Sequence, residues 1–331
     1  MKTSPCNPAI YTMEQDLISA IWPQVVLPIV RITFFITIGL FIANFIESLN
    51  WTNRLATLAR PLIRIGRLSA ITGASFSVAF FSGVSANTML AEAYDKGQMT
   101  KKELVLANLF NSLPRFFLHL PTIFFLTAPL IKIGALLYVG LTFGAAVLQT
   151  ILVVLGGRLL LPANSEKIEI SLPQQPGTGW KAAFQKSIRR LKKRIGKILK
   201  FMIPVYLLFF LFNRYGLFNQ VEEFIAEKAW FLSWLNPQSL GIVVLHVTAE
   251  FSAGLAAASV LLAENSLTYK EVVLALLVGN ILSTPIRAIR HQLPYYTGIY
   301  SPQLALQLVG VSQATRAFCV ILVAVVYYYL A

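Results

Sequence analysis

Long runs without a single Asp, Glu, Lys or Arg dominate this chain: residues 32–46, 68–91, 133–157, 229–249 and 317–331. No other feature restricts the fold as much, because a bilayer core takes about 20 mainly apolar residues per helix. With 56% hydrophobic and only 13% charged residues among 331, the chain also has too little charge to cover a soluble domain of its size. The expectation is an all-α, polytopic integral membrane protein.

The net charge of +14 is unevenly spread, and its placement argues against nucleic acid. Residues 181–200 hold nine Lys or Arg and no acid. Beside a membrane segment such a block reads as a cytoplasmic anchor and an anionic-lipid contact, and no stacking aromatics or reader motif accompany it. Cys6 and Cys319 suggest neither a disulfide framework nor a metal cluster. The first fifteen residues lack the charged-then-apolar pattern of a cleaved signal.

The chain also reads as a repeat. "KELVLANLFNSLPRFFLHLP" from Lys102 and "KEVVLALLVGNILSTPIRAIRHQLP" from Lys270 pass through Asn, Ser, Pro, Arg, His and Leu-Pro in one order. Upstream, "FSGVSANTML" from Phe81 pairs with "FSAGLAAASVLL" from Phe251. Arg31 and Asn44 match Lys200 and Asn213. Each half parses into a long helix (22–47; 199–218), an amphipathic segment (51–66; 220–235) and a Gly/Ser-broken apolar stretch (68–93; 238–264). A Pro-interrupted helix (102–131; 270–300) and a final apolar helix (134–161; 303–330) complete it. The divisions are residues 1–161, a basic cytoplasmic linker 162–198, and residues 199–331.

Charge orients the halves. The first amphipathic segment, read on to Leu68 as "WTNRLATLARPLIRIGRL", carries four arginines and no acid, whereas its counterpart carries three glutamates and one lysine. By the positive-inside rule the first faces the cytoplasm and the second the outside. Stretch 68–93 has Arg64 and Arg67 before it and Lys96, Lys101 and Lys102 after it, so both its ends want the cytoplasm. A hairpin that dips in and returns satisfies this, with its break near Gly83 to Ser85. Three crossings per half then invert the second half. A plain bundle of spanning helices is the alternative.

Inverted repeats with interrupted helices are one way to build a transport site near the midplane. Polar groups unpaired in hydrocarbon cost several kcal/mol, so those in the broken segments must face a partner or a cavity. The candidate site residues are Ser82, Ser85, Asn87, Asn111, Ser112, Arg115, His119, Glu250, Ser252, Asn280, Ser283, Thr284, Arg287, Arg290 and Arg316. Each has a plainer reading: Asn and Ser bond neighbouring helices, prolines such as Pro114 and Pro285 merely kink, and arginines snorkel to headgroups. Arg316 is set deep in the last helix, where snorkelling is harder. His246 and Glu250, four apart, are expected on one helix face, a weak metal signal with no third ligand. Glu250 is also the one acid in its stretch, a candidate for ion coupling or for pairing an arginine. Arginines with so few acids point to a substrate carrying an anionic group. No nucleophile–base pair, phosphate loop or dinucleotide fingerprint appears, so neither an enzyme nor a bound cofactor is expected.

"FFSGVSANTMLAEAYDKGQMTKKELVLANLFNSLPRFFLHLP", from Phe80, resembles the nucleoside-recognition, or Gate, domain. That domain occurs in concentrative nucleoside transporters, in the membrane core of the ferrous-iron transporter FeoB and in spore maturation membrane proteins. The resemblance covers residues 70–160 best and extends through the repeat to 238–330. It implies two inverted Gate-type repeats, each with a re-entrant hairpin. Ser82, Ser85 and Asn87 would lie in the first hairpin, and Asn111 to Pro114 in the interrupted helix after it. It further implies a multi-pass permease of a prokaryotic plasma membrane, moving a small molecule or ion, with a non-transporting scaffold as the alternative. No GTPase part of the FeoB type is present. Nothing in the sequence decides for or against a homo-oligomer.

Overall fold

The computed structural model describes residues 59–162 apart from Phe81, residues 234–330 apart from Ala249, and parts of 21–41 and 180–211. Among these residues every regular element is helical: α1 (Ala59–Ile65), α2 (Ala70–Ala79), α3 (Gly83–Asp95), α4 (Lys101–Phe110), α5 (Ser112–Ile131), α6 (Ile133–Leu160), α7 (Pro237–Thr248), α8 (Phe251–Ala263), α9 (Tyr269–Arg287), α10 (Leu293–Thr297) and α11 (Pro302–Leu330). A π-helical turn, Ala288–Gln292, joins α9 to α10, and another covers Trp22–Val26. Among the described residues four segments are long and apolar enough to cross a bilayer: Lys101–Ile131, Ile133–Leu160, Tyr269–Arg287 and Pro302–Leu330. The expected amphipathic pair lies outside the described residues except at 59–66 and 234–235, and so does the linker over 163–179; helix resumes at Trp180.

The two final helices, α6 and α11, start and stop within a residue of the final apolar helices read from the sequence, 134–161 and 303–330. Both Gly/Ser-broken stretches form helical hairpins, α2 against α3 and α7 against α8. The first break falls at residues 80–82, not at the expected Gly83 to Ser85. The reason is a cap: Ser82 Oγ accepts from the Ser85 backbone N–H at 3.1 Å and from Ser85 Oγ at 2.9 Å, which makes Gly83 to Ser85 the first turn of α3. The second break separates His246, in α7, from Glu250, the residue before α8. The two therefore do not share one helix face, contrary to the four-residue spacing.

The interrupted helices also differ from their proline pattern. In the first half the break is at Asn111, whose side chain is engaged with Ser75 Oγ at 3.3 Å. Pro114 then sits in the first turn of α5, where a missing N–H forfeits no intrahelical bond. In the second half α9 runs through Pro285 and loosens only beyond Arg287, into the π turn.

Matching local contacts recur in the two halves. Glu103 accepts from the backbone N–H of Ser69, at the start of α2, at 3.0 Å. Glu271 accepts from Asn236 Nδ2, at the start of α7, at 2.8 Å. Each glutamate thus ties a hairpin's first helix to the start of the long helix that follows. The turns after α3 and α8 both close with a left-handed residue, Gly97 at φ +69° and Asn265 at φ +55°. Both carry the same pair of C-terminal hydrogen bonds, Gln98 N–H to Ala93 O and Gly97 N–H to Tyr94 O in one, Ser266 N–H to Leu261 O and Asn265 N–H to Leu262 O in the other.

The largest core cluster packs α6, α7, α8 and α9 together around Tyr138, Ile242, Ala257 and Leu276. Helix α9 is buried on most of its circumference from Val272 to Asn280, whereas α6 and α11 keep one apolar face exposed, including Leu136, Leu155, Phe318 and Val325.

Candidate functional site

Where α5, α6, α9, the π turn and α11 meet, a cavity of about 260 Å³ opens. It is built from helical stripes. Ser112, Arg115, Phe116, His119 and Ile123 come from α5; Thr142, Ala145, Ala146 and Gln149 from α6; Ser312, Gln313, Arg316 and Val320 from α11. Spacings of three and four residues put each set on one helix face. Asn280 and Gln292 complete the wall. Among the described residues no Asp or Glu lines it.

Arg115 is anchored by its own helix junction. Its Nε donates to Asn111 O at 3.0 Å, which also takes the Arg115 backbone N–H, and a terminal nitrogen donates to Asn108 O at 3.1 Å, where α4 gives way to α5. Arg287 repeats the arrangement, reaching back seven residues to Asn280 O at 3.2 Å and to Asn280 Oδ1 at 2.9 Å. Asn280 Nδ2 in turn donates to the Tyr138 hydroxyl at 3.0 Å, so one amide links α9 to α6 and presents its edge to the cavity.

Arg316 differs from both. Arg316 is exposed, and among the described residues no hydrogen bond and no ion pair engages its guanidinium. Two polar atoms of wall residues are buried without a partner among the described residues, Ser112 Oγ and Gln149 Nε2. Buried polar groups are nearly always bonded, so these two beside an exposed arginine at one cavity are an arrangement suited to a ligand. Gln292 and Gln313 hydrogen-bond each other and close one edge of the wall.

Of the residues singled out from the sequence, Ser112, Arg115, His119, Asn280 and Arg316 meet at this cavity. The others serve elsewhere. Ser82 and Ser85 cap α3. Asn87 accepts from Asn108 Nδ2 at 2.9 Å, and its carbonyl accepts from the Tyr300 hydroxyl at 2.9 Å. Asn111 bonds Ser75, while Ser283 and Thr284 return their hydroxyls to Asn280 O. Arg287 stands behind Asn280; Glu250 and Ser252 start α8, away from the cavity wall. The Arg290 side chain lies outside those described. Gln149, Gln313, Gln292, Thr142 and Ser312 are additions the sequence reading did not make. Their signal was present in the amides: Gln149 is the sole amide in the run 133–157, and Gln313 precedes Arg316 by three.

No family model matches this chain, and no solved structure matches it. Three relatives in Methanocaldococcus jannaschii do. The uncharacterized protein MJ0871 is 28% identical over 86% of this chain and 88% of its own length. The uncharacterized protein MJ1556 is 26% identical over 84% and 88%, and the uncharacterized protein MJ0880 is 24% identical over 82% and 88%. The similarity thus runs over most of both chains rather than over one half.

Proposed function

We propose that this chain is a multi-pass permease of a prokaryotic plasma membrane, built of two inverted halves, with the cavity between α5, α6, α9 and α11 as its solute site. One observation carries the reading. Arg316 is the fifteenth of 29 residues in α11, and Arg115 the fifteenth of 31 in the Lys101–Ile131 span. With a rise of about 1.5 Å per residue and a hydrocarbon core of about 30 Å, both charges fall near the midplane, further from either headgroup layer than an arginine extends. Intramembrane cations of this kind face a cavity or a pathway. The rival reading, a non-transporting scaffold of the spore-maturation type, expects a centre filled by apolar side chains, and the polar wall weighs against it.

Several features support inversion. Helices α2, α3, α7 and α8 have 10, 13, 12 and 13 residues, about 15–20 Å each, too short to cross alone but long enough to dip in and return. The paired Glu103–Ser69 and Glu271–Asn236 contacts, and the equal reach of Arg115 and Arg287 onto a carbonyl seven residues back, are what two copies of one unit would share. The arginine-rich and glutamate-rich amphipathic segments set opposite orientations. The resemblance to Gate-domain proteins agrees with such a scaffold.

Thiol labelling of sealed vesicles tests both parts, with Cys6 and Cys319 replaced by serine and alanine. Gln98→Cys stands on the exposed turn after α3 and Ala263→Cys at the exposed end of α8; an impermeant maleimide is expected to reach them from opposite sides. Thr142→Cys, in the cavity wall, is expected to react with a small hydrophilic thiosulfonate from the aqueous phase. Labelling of Gln98→Cys and Ala263→Cys from one side would sink the inverted arrangement, and an inert Thr142→Cys would remove the water-accessible site.

A further inference from the structure

We infer that the cavity is a site for a small organic oxyanion, a carboxylate or phosphate on a short body, clamped by Arg316 with Ser112 Oγ and Gln149 Nε2 as neutral donors. The inference rests on the permease reading above and narrows it to a substrate class.

The donors decide the charge. Arg316 brings five N–H groups in a planar fork that matches a carboxylate or phosphate edge, and no described residue takes them up. Gln149 is 2% exposed, yet its Nε2 has no acceptor among the described residues and lies in the cavity wall. Ser112 Oγ is likewise buried without a partner there. Arg115, held at its helix junction, and Arg287, behind Asn280, add positive potential to the same place. Among the described residues no carboxylate lines the wall, so a metal cation meets net positive charge there, and a neutral solute leaves that charge uncompensated. An oxyanion satisfies all three waiting donors at once. Phe116, Ile123 and Val320 give the remaining wall an apolar character suited to a short carbon body.

The empty site carries a stability cost, as strained or uncompensated functional sites do. Arg316→Gln is therefore expected to raise the ligand-free melting temperature while weakening oxyanion binding by at least about 10-fold, the loss that follows from one charge-assisted hydrogen bond. An arginine that merely supports the fold would lower the melting temperature instead.

The test is thermal shift of the full chain purified in a neutral detergent. The additions are sodium succinate, sodium glycerol 3-phosphate, uridine, magnesium chloride and phosphatidylglycerol, each against sodium chloride at equal ionic strength. Succinate or glycerol 3-phosphate is expected to raise the melting temperature in a saturable way, and the stronger of the two names the oxyanion. Arg316→Gln is expected to abolish that shift and Gln149→Leu to weaken it. The inference is overturned if neither oxyanion shifts the protein, if only uridine, magnesium or phosphatidylglycerol does, or if both variants keep the wild-type shift. A shift by uridine alone would leave a permease with a different substrate. Loss of thiol access at Thr142→Cys would instead remove the permease itself.

Discussion

Gly157→Ala is expected to lower the melting temperature more than any other alanine substitution on α6, with a loss at the upper end of the 1–3 kcal/mol that overpacking costs, roughly. A Cβ at Gly157 would fall inside contact distance of the Gly66 carbonyl oxygen. The obstacle is backbone, so no rotamer change relieves it. Gly66 is itself fixed, its N–H bonded to Leu62 O at 2.9 Å and the turn behind it closed by Leu68 N–H to Ile63 O at 3.1 Å. Arg67, next to it, already has φ +53°. Small residues that let two backbones approach are how helices pack in a membrane, where water supplies no hydrophobic drive. Gly140 and Gly144, on the same helix, have open space where a Cβ would go. Alanine there is expected to be neutral or stabilising by up to about 1 kcal/mol. Melting curves of the three variants make the comparison, and equal effects at Gly157 and Gly144 would deny the close crossing of α1 and α6.

Asn280→Leu is expected to cost about 3 kcal/mol, since a buried group left without its partner loses about 1–3 kcal/mol, more when charged. The amide holds the Tyr138 hydroxyl at 3.0 Å and the Arg287 guanidinium at 2.9 Å, so the substitution orphans a hydroxyl and weakens the hold on a cation. Tyr138→Phe removes only one of these bonds and is expected to cost about 1 kcal/mol. In the double variant the two losses should not add, because the Tyr138 contact is shared. Denaturation of the four proteins without added solute measures this; full additivity would mean that Asn280 and Tyr138 are not coupled.

Much of this architecture is legible in the sequence because hydrocarbon leaves few choices. Long apolar stretches signalled α6 and α11, and paired Gly and Ser residues announced the hairpins. The breaks were harder to locate. Serine both interrupts and caps helices, so Ser82 begins α3 where a glycine-based reading puts the gap. Proline draws the eye at Pro114, but the chain breaks at Asn111, whose side chain finds Ser75 across the hairpin. Arg115, Arg316, Ser112 and His119 stood out as polar chemistry in apolar helices, and they do converge. Gln149 and Gln313 were legible only as packing amides, because a polar stripe gains meaning once the facing helix is known. Conversely, Asn87 looked like a ligand donor but bonds Asn108 and, through its carbonyl, Tyr300 from the other half, while Asn108 also reaches Tyr296.

Uptake by proteoliposomes bears most directly on the central claim, that solute crosses through this cavity. The labelled solute is whichever of succinate, glycerol 3-phosphate or uridine gives the largest thermal shift. Ala146→Phe places a ring in the cavity while leaving Arg115, Arg316, Ser112 and Gln149 in place. Wild-type vesicles are expected to accumulate the solute above protein-free vesicles, and Ala146→Phe vesicles to lose most of that uptake while melting near the wild-type temperature. Wild-type uptake no faster than protein-free vesicles, or Ala146→Phe uptake equal to wild type, would contradict a permease with this cavity as its path.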